Sequence, residues 1–241
     1  MHTIWTICRR EVNRFFDSLT AYVLLIVFLG LSGVFTWLFG AGDIFFVGQA
    51  SLQTFFNVAF WTLFFFAPAL TMGMIAEERR SGTLELLATK PISDAHIVAG
   101  KGLAAWFLIA VSLALTLPYY VTVAALGPID HGATGAGYVA LLLVSGVYIS
   151  IGLVASSLTS NQIVAFLVSL FIGFFFHFLF GQMAAVLPDA LATVASFLSL
   201  SDHFQTMARG VLALSTLAYL ASLIGFGGLL ATAALKSRNW A

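Results

Sequence analysis

The chain has 241 residues, of which 61% are hydrophobic and only 8% carry a formal charge, against about 25% charged in an ordinary soluble domain. A globule of this length has too little interior to hide that much apolar surface, so lipid must be the solvent for much of it. Zero net charge argues against nucleic acid as a partner, and a single cysteine, Cys8, excludes an internal disulfide and a cysteine metal cluster.

The first 20 residues include Arg9, Arg10, Glu11, Arg14 and Asp17, a pattern unlike a cleavable signal peptide, so the first apolar run is expected to be a retained span. Residues 2–19 read instead as a surface helix. At 100° per residue, Ile4, Trp5, Cys8, Val12, Phe15, Phe16 and Leu19 share one face, with His2, Arg9, Arg10, Asn13 and Asp17 opposite and Ile7 out of place. Such a basic amphipathic helix lies in a headgroup layer just before a first span.

Six charge-free apolar stretches follow, at about 21–40, 52–76, 102–126, 136–158, 162–180 and 211–235. Each is long enough to cross roughly 30 Å of hydrocarbon at 1.5 Å per residue. The expected fold class is therefore all-α, a single polytopic membrane domain with six transmembrane helices. Thr159-Ser160-Asn161 makes the fourth and fifth a helical hairpin. Nine of the ten basic residues (Arg9, Arg10, Arg14, Arg79, Arg80, Lys90, Lys101, Lys236 and Arg238) fall on one side of a six-span layout, and only Arg209 on the other. That split predicts both termini in the cytoplasm. The segment 181–210 is too polar to span and too apolar for a solvated loop; a helical cap in the outer leaflet, or one dipping back, is expected there, starting at Pro188.

The one long cytoplasmic loop, 77–101, begins Glu77-Glu78-Arg79-Arg80-Ser81-Gly82-Thr83-Leu84-Glu85-Leu86-Leu87-Ala88-Thr89-Lys90-Pro91-Ile92-Ser93. A charged cluster is followed by a short helix, for which Ser81 and Gly82 suit the start and Pro91 the end. Leu84, Leu87 and Ala88 form an apolar stripe about two turns long, and a helix so short is not stable unless something covers it. Ser93-Asp94 then starts a second helix running through His96 and Lys101 into span three.

This Glu-Glu-Arg-Arg-x-Gly-Thr-Leu-Glu-Leu-Leu-x-x-Lys-Pro-Ile-Ser run, with the Gly-Lys at Gly100-Lys101, resembles the signature loop of ABC-2 type transporter permeases. The six-span layout and the apolar segment before the last span are similar too, and Leu198–Val211 looks like the stretch leading into the family's last helix. The resemblance is nearest to the small gliding-motility (Gld) and NosY-like permeases. One departure is Thr216-Leu217-Ala218-Tyr219, where relatives often carry an acidic residue before the tyrosine. The resemblance implies a multi-pass subunit of a bacterial cytoplasmic (inner) membrane, acting as a pair of identical or related chains. Its partners would be a cytosolic ABC ATPase dimer, membrane lipid and a companion with a large extracytoplasmic domain. ATP and magnesium would be bound by the ATPase, with no cofactor or metal in this chain. Glu77, Glu78, Arg79, Arg80, Gly82, Thr83, Leu84, Glu85, Leu87, Pro91 and Lys101 are then the ATPase-contact residues, beside an elbow helix carrying Trp5, Arg9, Arg10, Phe15 and Phe16.

Other function classes have weaker support. No phosphate-binding Gly-x-x-x-x-Gly-Lys-Ser/Thr loop exists; Ala99-Gly100-Lys101-Gly102 lacks its upstream glycine and its hydroxyl residue. The chain is therefore expected not to be an enzyme itself. An ion-coupled carrier or a channel subunit is the alternative, but such carriers place ionisable groups at depth, and the six stretches hold no Asp, Glu, Lys or Arg. His177 is the one titratable candidate within them, and an interhelical hydrogen bond is its simpler role. Asn57 could line a polar path, as could Gln182, while Pro68 and Pro118 could kink spans two and three at a gate. The five histidines lack any His-Glu-x-x-His spacing, against an intramembrane metalloenzyme.

Overall fold

The computed structural model describes residues 2–38, 51–83 and 92–236. Every element among them is helical, and six of the helices are long and apolar enough to cross a membrane.

Helix α1 (His2–Asp17) is followed after Ser18 by α2 (Leu19–Trp37), the first candidate span. The second comprises α3 (Gln53–Thr71), a break at Met72–Ile75, and α4 (Ala76–Arg80). The third joins α5 (Asp94–Ala114) to α6 (Leu117–Leu126), and the fourth is the unbroken α7 (His131–Leu158). The fifth runs from α8 (Gln162–Phe174) through a π-helical turn (Phe175–Leu179) into α9 (Phe180–Val186). Two short helices, α10 (Asp189–Leu198) and α11 (Leu200–Ala208), precede the sixth span, α12 (Leu214–Lys236).

The helix ends obey local chemistry. Ser93, Asp130 and Asn161 sit just before α5, α7 and α8, and their side chains accept the otherwise unpaired amides of His96, Ala133 and Ile163. Several helices run past the apolar windows that mark the spans: α5 begins eight residues before Gly102, and the fifth span continues to Val186 instead of ending at Phe180. Helical hydrogen bonding does not stop where hydrophobicity does. Pro118 sits in the first turn of α6, where its missing N–H is no loss. Pro68 lies inside α3, one turn before that helix breaks.

Helix α7 is the hub. In its apolar window 72% of residues are buried, against 28% for α2 and 22% for both the fifth span and α12. Small residues let neighbours approach its backbone. A Cβ on Gly137 would meet the Phe56 ring, one on Gly146 would meet Ile224, and one on Gly152 would collide with Thr71 Oγ1. Gly227 of α12 faces Ser150 in the same way. The pairs Gly146–Ile224 and Ser150–Gly227 advance together, so α7 and α12 run parallel.

Helix α1 packs on α5 and on α2. Its protein-facing side is made by Ile7, Cys8 and Glu11, at 5%, 6% and 2% exposure, while Trp5 is 67% exposed. Ile7 is therefore not out of place: it lies against Ile97, over Gly100, where a Cβ would come within 2.8 Å of the Ile7 side chain. The amphipathic reading placed Ile7 badly because it assumed that only lipid competes for the apolar face. Segment 181–210 is helical, and Leu200, Phe204, Met207 and Ala208 of α11 are buried against α7 and the π turn.

Candidate functional site

The end of the bundle that holds α1, α4 and the start of α5 concentrates charge. Lys101 is fully buried. Its ammonium donates to Glu78 Oε1 at 2.8 Å, to Glu11 Oε1 at 3.2 Å and to the Met74 carbonyl at 2.7 Å. Arg10 donates to Glu11 at 2.6 Å and reaches Glu78 at 3.4 Å, and Arg14 donates to Glu77 at 2.8 Å. Three cations thus face three carboxylates. An ammonium taken out of water is tolerated only with such pairing and with its donors used. Burial pushes the Glu11 carboxyl up, but the Lys101 and Arg10 charges outweigh it and hold Glu11 below its ordinary value.

The break in the second span is spliced by α7. With the helical ladder interrupted, the amides of Ile75 and Ala76 donate to Ser156 Oγ at 3.1 and 3.0 Å, and that hydroxyl donates to the Met72 carbonyl at 2.9 Å. One hydroxyl thereby stands in for three lost backbone partners. Arg79 donates to the Ser157 carbonyl at 2.9 Å. The stem Ala76–Arg80 is therefore held by α1 and α5 through charge and by α7 through hydrogen bonds. It ends at Ser81 and Gly82, whose φ of +71° is the left-handed conformation that favours glycine after a helix.

The residues singled out in the sequence separate into two sets. Glu78 and Lys101 turn inward into the ion cluster and are not surface groups, whereas Arg80, Gly82 and Thr83 are exposed. Arg79 is exposed but tied to α7, and Glu77 is tied to Arg14. Leu84, Glu85, Leu87 and Pro91 lie outside the described residues. On α1, Arg9 and Arg10 are exposed and Phe15 and Phe16 half-buried. Glu11, absent from the sequence-derived set, proves central; the signal was a carboxylate four residues from Ile7, among Arg9, Arg10 and Arg14.

At the opposite end lies a cleft of about 450 Å³ between α3, the fifth span and α11, lined by Asn57, Trp61, His177, Gln182, Asp202 and Gln205 among others. It unites Asn57, His177 and Gln182 and adds Asp202 and Gln205, which the sequence did not single out. Pro68 and Pro118 are not part of its lining. His177 sits in the π turn at 1% exposure, with Nδ1 2.6 Å from Tyr148 Oη on α7. It stacks on Phe60 and Phe64, at centroid distances of 4.3 and 4.7 Å. Nearby, His203 Nε2 donates to the Phe197 carbonyl at 2.9 Å, and its Nδ1 lies 3.0 Å from Thr216 Oγ1. No group of three His, Cys, Asp or Glu side chains among the described residues could hold a metal ion.

Six apolar helices, with a charged stem clasped at one end, define a multi-pass membrane protein. The family model described as ABC-2 family transporter protein matches residues 35–236, most of the chain. The chain belongs to that family, whose membrane subunit is not itself the ATPase and works with an ABC ATPase. No curated protein matches it.

Proposed function

We propose that this chain is the membrane subunit of an ATP-driven translocase, in which a separate cytosolic ATPase dimer hydrolyses ATP and drives export or mechanical work. The observation that carries the reading is the stem Ala76–Arg80. It presents Arg80, Gly82 and Thr83 to solvent from a base bonded to α1, α5 and α7 at once. A loop mounted in that way transmits force instead of absorbing it. Both termini and this loop face the cytoplasm of a bacterial inner membrane, on the strength of the nine-to-one basic split. ATP and magnesium are held by the ATPase, and two permease chains, identical or related, pair in the membrane. The loop sequence favours the Gld- and NosY-like branch, where a companion with a large extracytoplasmic domain would complete the assembly.

The contact itself falls to Thr83, Leu84 and Leu87, with Glu77, Arg79 and Arg80 at its margin setting orientation by charge. Glu78, Lys101 and Glu11 act one layer behind, as the mount. Because α3 is interrupted at Met72–Ile75, displacement of the loop reaches spans two, three and four together and does not travel up one rigid rod.

Co-purification tests the reading. Leu84→Arg combined with Leu87→Arg should abolish ATPase binding while the chain remains folded in membrane; retained binding overturns the loop assignment. Purified chain alone in liposomes should move no substrate down an ion gradient, and movement there would favour the carrier.

A further inference from the structure

The cleft at the end away from the ion cluster contains a group with an unused valence. His177 is among the residues that line the cleft, and its Nε2 is buried with no hydrogen-bond partner among the described residues. Leaving such an atom unpaired in a packed interior is costly, so a ligand atom that meets it is favoured.

The chemistry of the walls narrows the ligand. Asn57, Gln182 and Gln205 offer neutral amides, each with donors and an acceptor; Ser201 offers a hydroxyl and Asp202 a carboxylate. No Lys or Arg is among the lining residues, which disfavours a phosphate or carboxylate. A quaternary ammonium needs several ring faces converging on it. Here Phe60 is stacked between Phe204, at 4.4 Å and 7°, and His177, so those faces are already used. Trp61 and Phe178 are the aromatic lining residues with substantial exposure, at 46% and 38%. His177 Nε2 is a donor or an acceptor according to which way the proton runs in its bond with Tyr148, and a hydroxyl satisfies either case.

Trp61 also lines a second groove, of about 360 Å³ and almost wholly apolar, formed by Leu24, Val27, Leu31, Phe65, Phe66 and others. A polar cleft one to two turns inside α3, joined through an exposed tryptophan to a greasy groove, matches a molecule with a polar head and a chain. We propose that these two cavities form one site for a sugar-headed lipid: an uncharged polyhydroxylated headgroup hydrogen-bonded by His177 Nε2 and the Asn57, Gln182 and Gln205 amides, with its acyl chain along Leu24–Leu31. The site does not depend on ATP or on the loop, so its failure would leave the proposed translocase reading untouched.

Native mass spectrometry of the intact chain, released from phosphatidylcholine nanodiscs doped with equal amounts of glucosyl-diacylglycerol and phosphatidylglycerol, tests it. The glucosyl lipid should be retained at least tenfold over its share of the bilayer. Asn57→Leu with Gln205→Leu, both exposed and outside the packed interior, should remove that enrichment without lowering the melting temperature. His177→Phe keeps the ring stack and should reduce it as well. Excess free maltose should compete only weakly, since it lacks the chain. Enrichment of phosphatidylglycerol or phosphatidylcholine instead, unchanged retention in the double variant, or maltose competing on equal terms would each overturn the proposal.

Discussion

The two ends of the bundle bury polar groups differently, one around paired charges and the other around neutral rings and amides. At the basic end every nitrogen hydrogen of Lys101 has a partner, supplied by Glu78, Glu11 and the Met74 carbonyl. At the other end His177 is as deeply buried, yet one ring nitrogen has no hydrogen-bond partner among the described residues. Charged bonds to all three ammonium hydrogens of Lys101 fix geometry, because any displacement breaks them in a medium of low dielectric, although Glu78 Oε2 has no hydrogen-bond partner among the described residues. A network with an open valence is instead ready to accept something. The contrast supports the proposals of force transmission at the first end and ligand recognition at the second, and both can be broken by experiment.

The largest effect is expected at Lys101. Lys101→Met strands Glu11 and Glu78 beside each other and should destabilise the chain by about 3–5 kcal/mol, read as a lower melting temperature in detergent. The triple change with Glu11→Gln and Glu78→Gln should recover much of that loss; failure to recover would show that the cluster supplies more than neutrality. Next comes Ser156→Ala, which leaves the Ile75 and Ala76 amides unpaired and should cost about 1–3 kcal/mol. Uncoupled ATP hydrolysis in the reconstituted complex should accompany it, because the splice between spans two and four is gone. Gly82→Ala forces a side chain into the left-handed region and should cost about 1–2 kcal/mol, seen as faster proteolysis of the loop.

Acid should act on the same end. Glu11 is held below its ordinary value of 4.5, so its contribution is present above that value and lost as pH falls below it. Melting temperature should therefore decline on acidification through that range, and Glu11→Gln should flatten the decline. The smallest effect belongs to the cleft: Asn57→Leu alone should change stability by no more than about 0.5 kcal/mol, although it alters lipid retention. A large loss there would mean that the cleft is structural and the comparison between the ends fails.

Much of this was legible in one dimension. Helix caps at Ser93 and Asn161, the hairpin at Thr159–Asn161 and the helix after Pro188 depend on neighbours within a turn, and each appears where the local chemistry put it. The break at Met72–Ile75 was not legible. Pro68 hinted at a kink, but the stability of that break rests on Ser156, some eighty positions away. The inward turn of Glu78 was equally hidden, because a Glu-Glu-Arg-Arg run has the same composition whether it is solvated or folded onto a buried lysine.

What the sequence by itself determined is the solvent of the protein and its division into six apolar helices, since transfer of apolar surface to lipid is additive along the chain and needs no knowledge of contacts. Its loop pattern also pointed to the family that the match over residues 35–236 then established. Only the tertiary structure decided which polar groups are satisfied. Pairing is a property of two distant residues at hydrogen-bond distance, so the clasp on Lys101 and the open nitrogen of His177 exist only once the helices have packed.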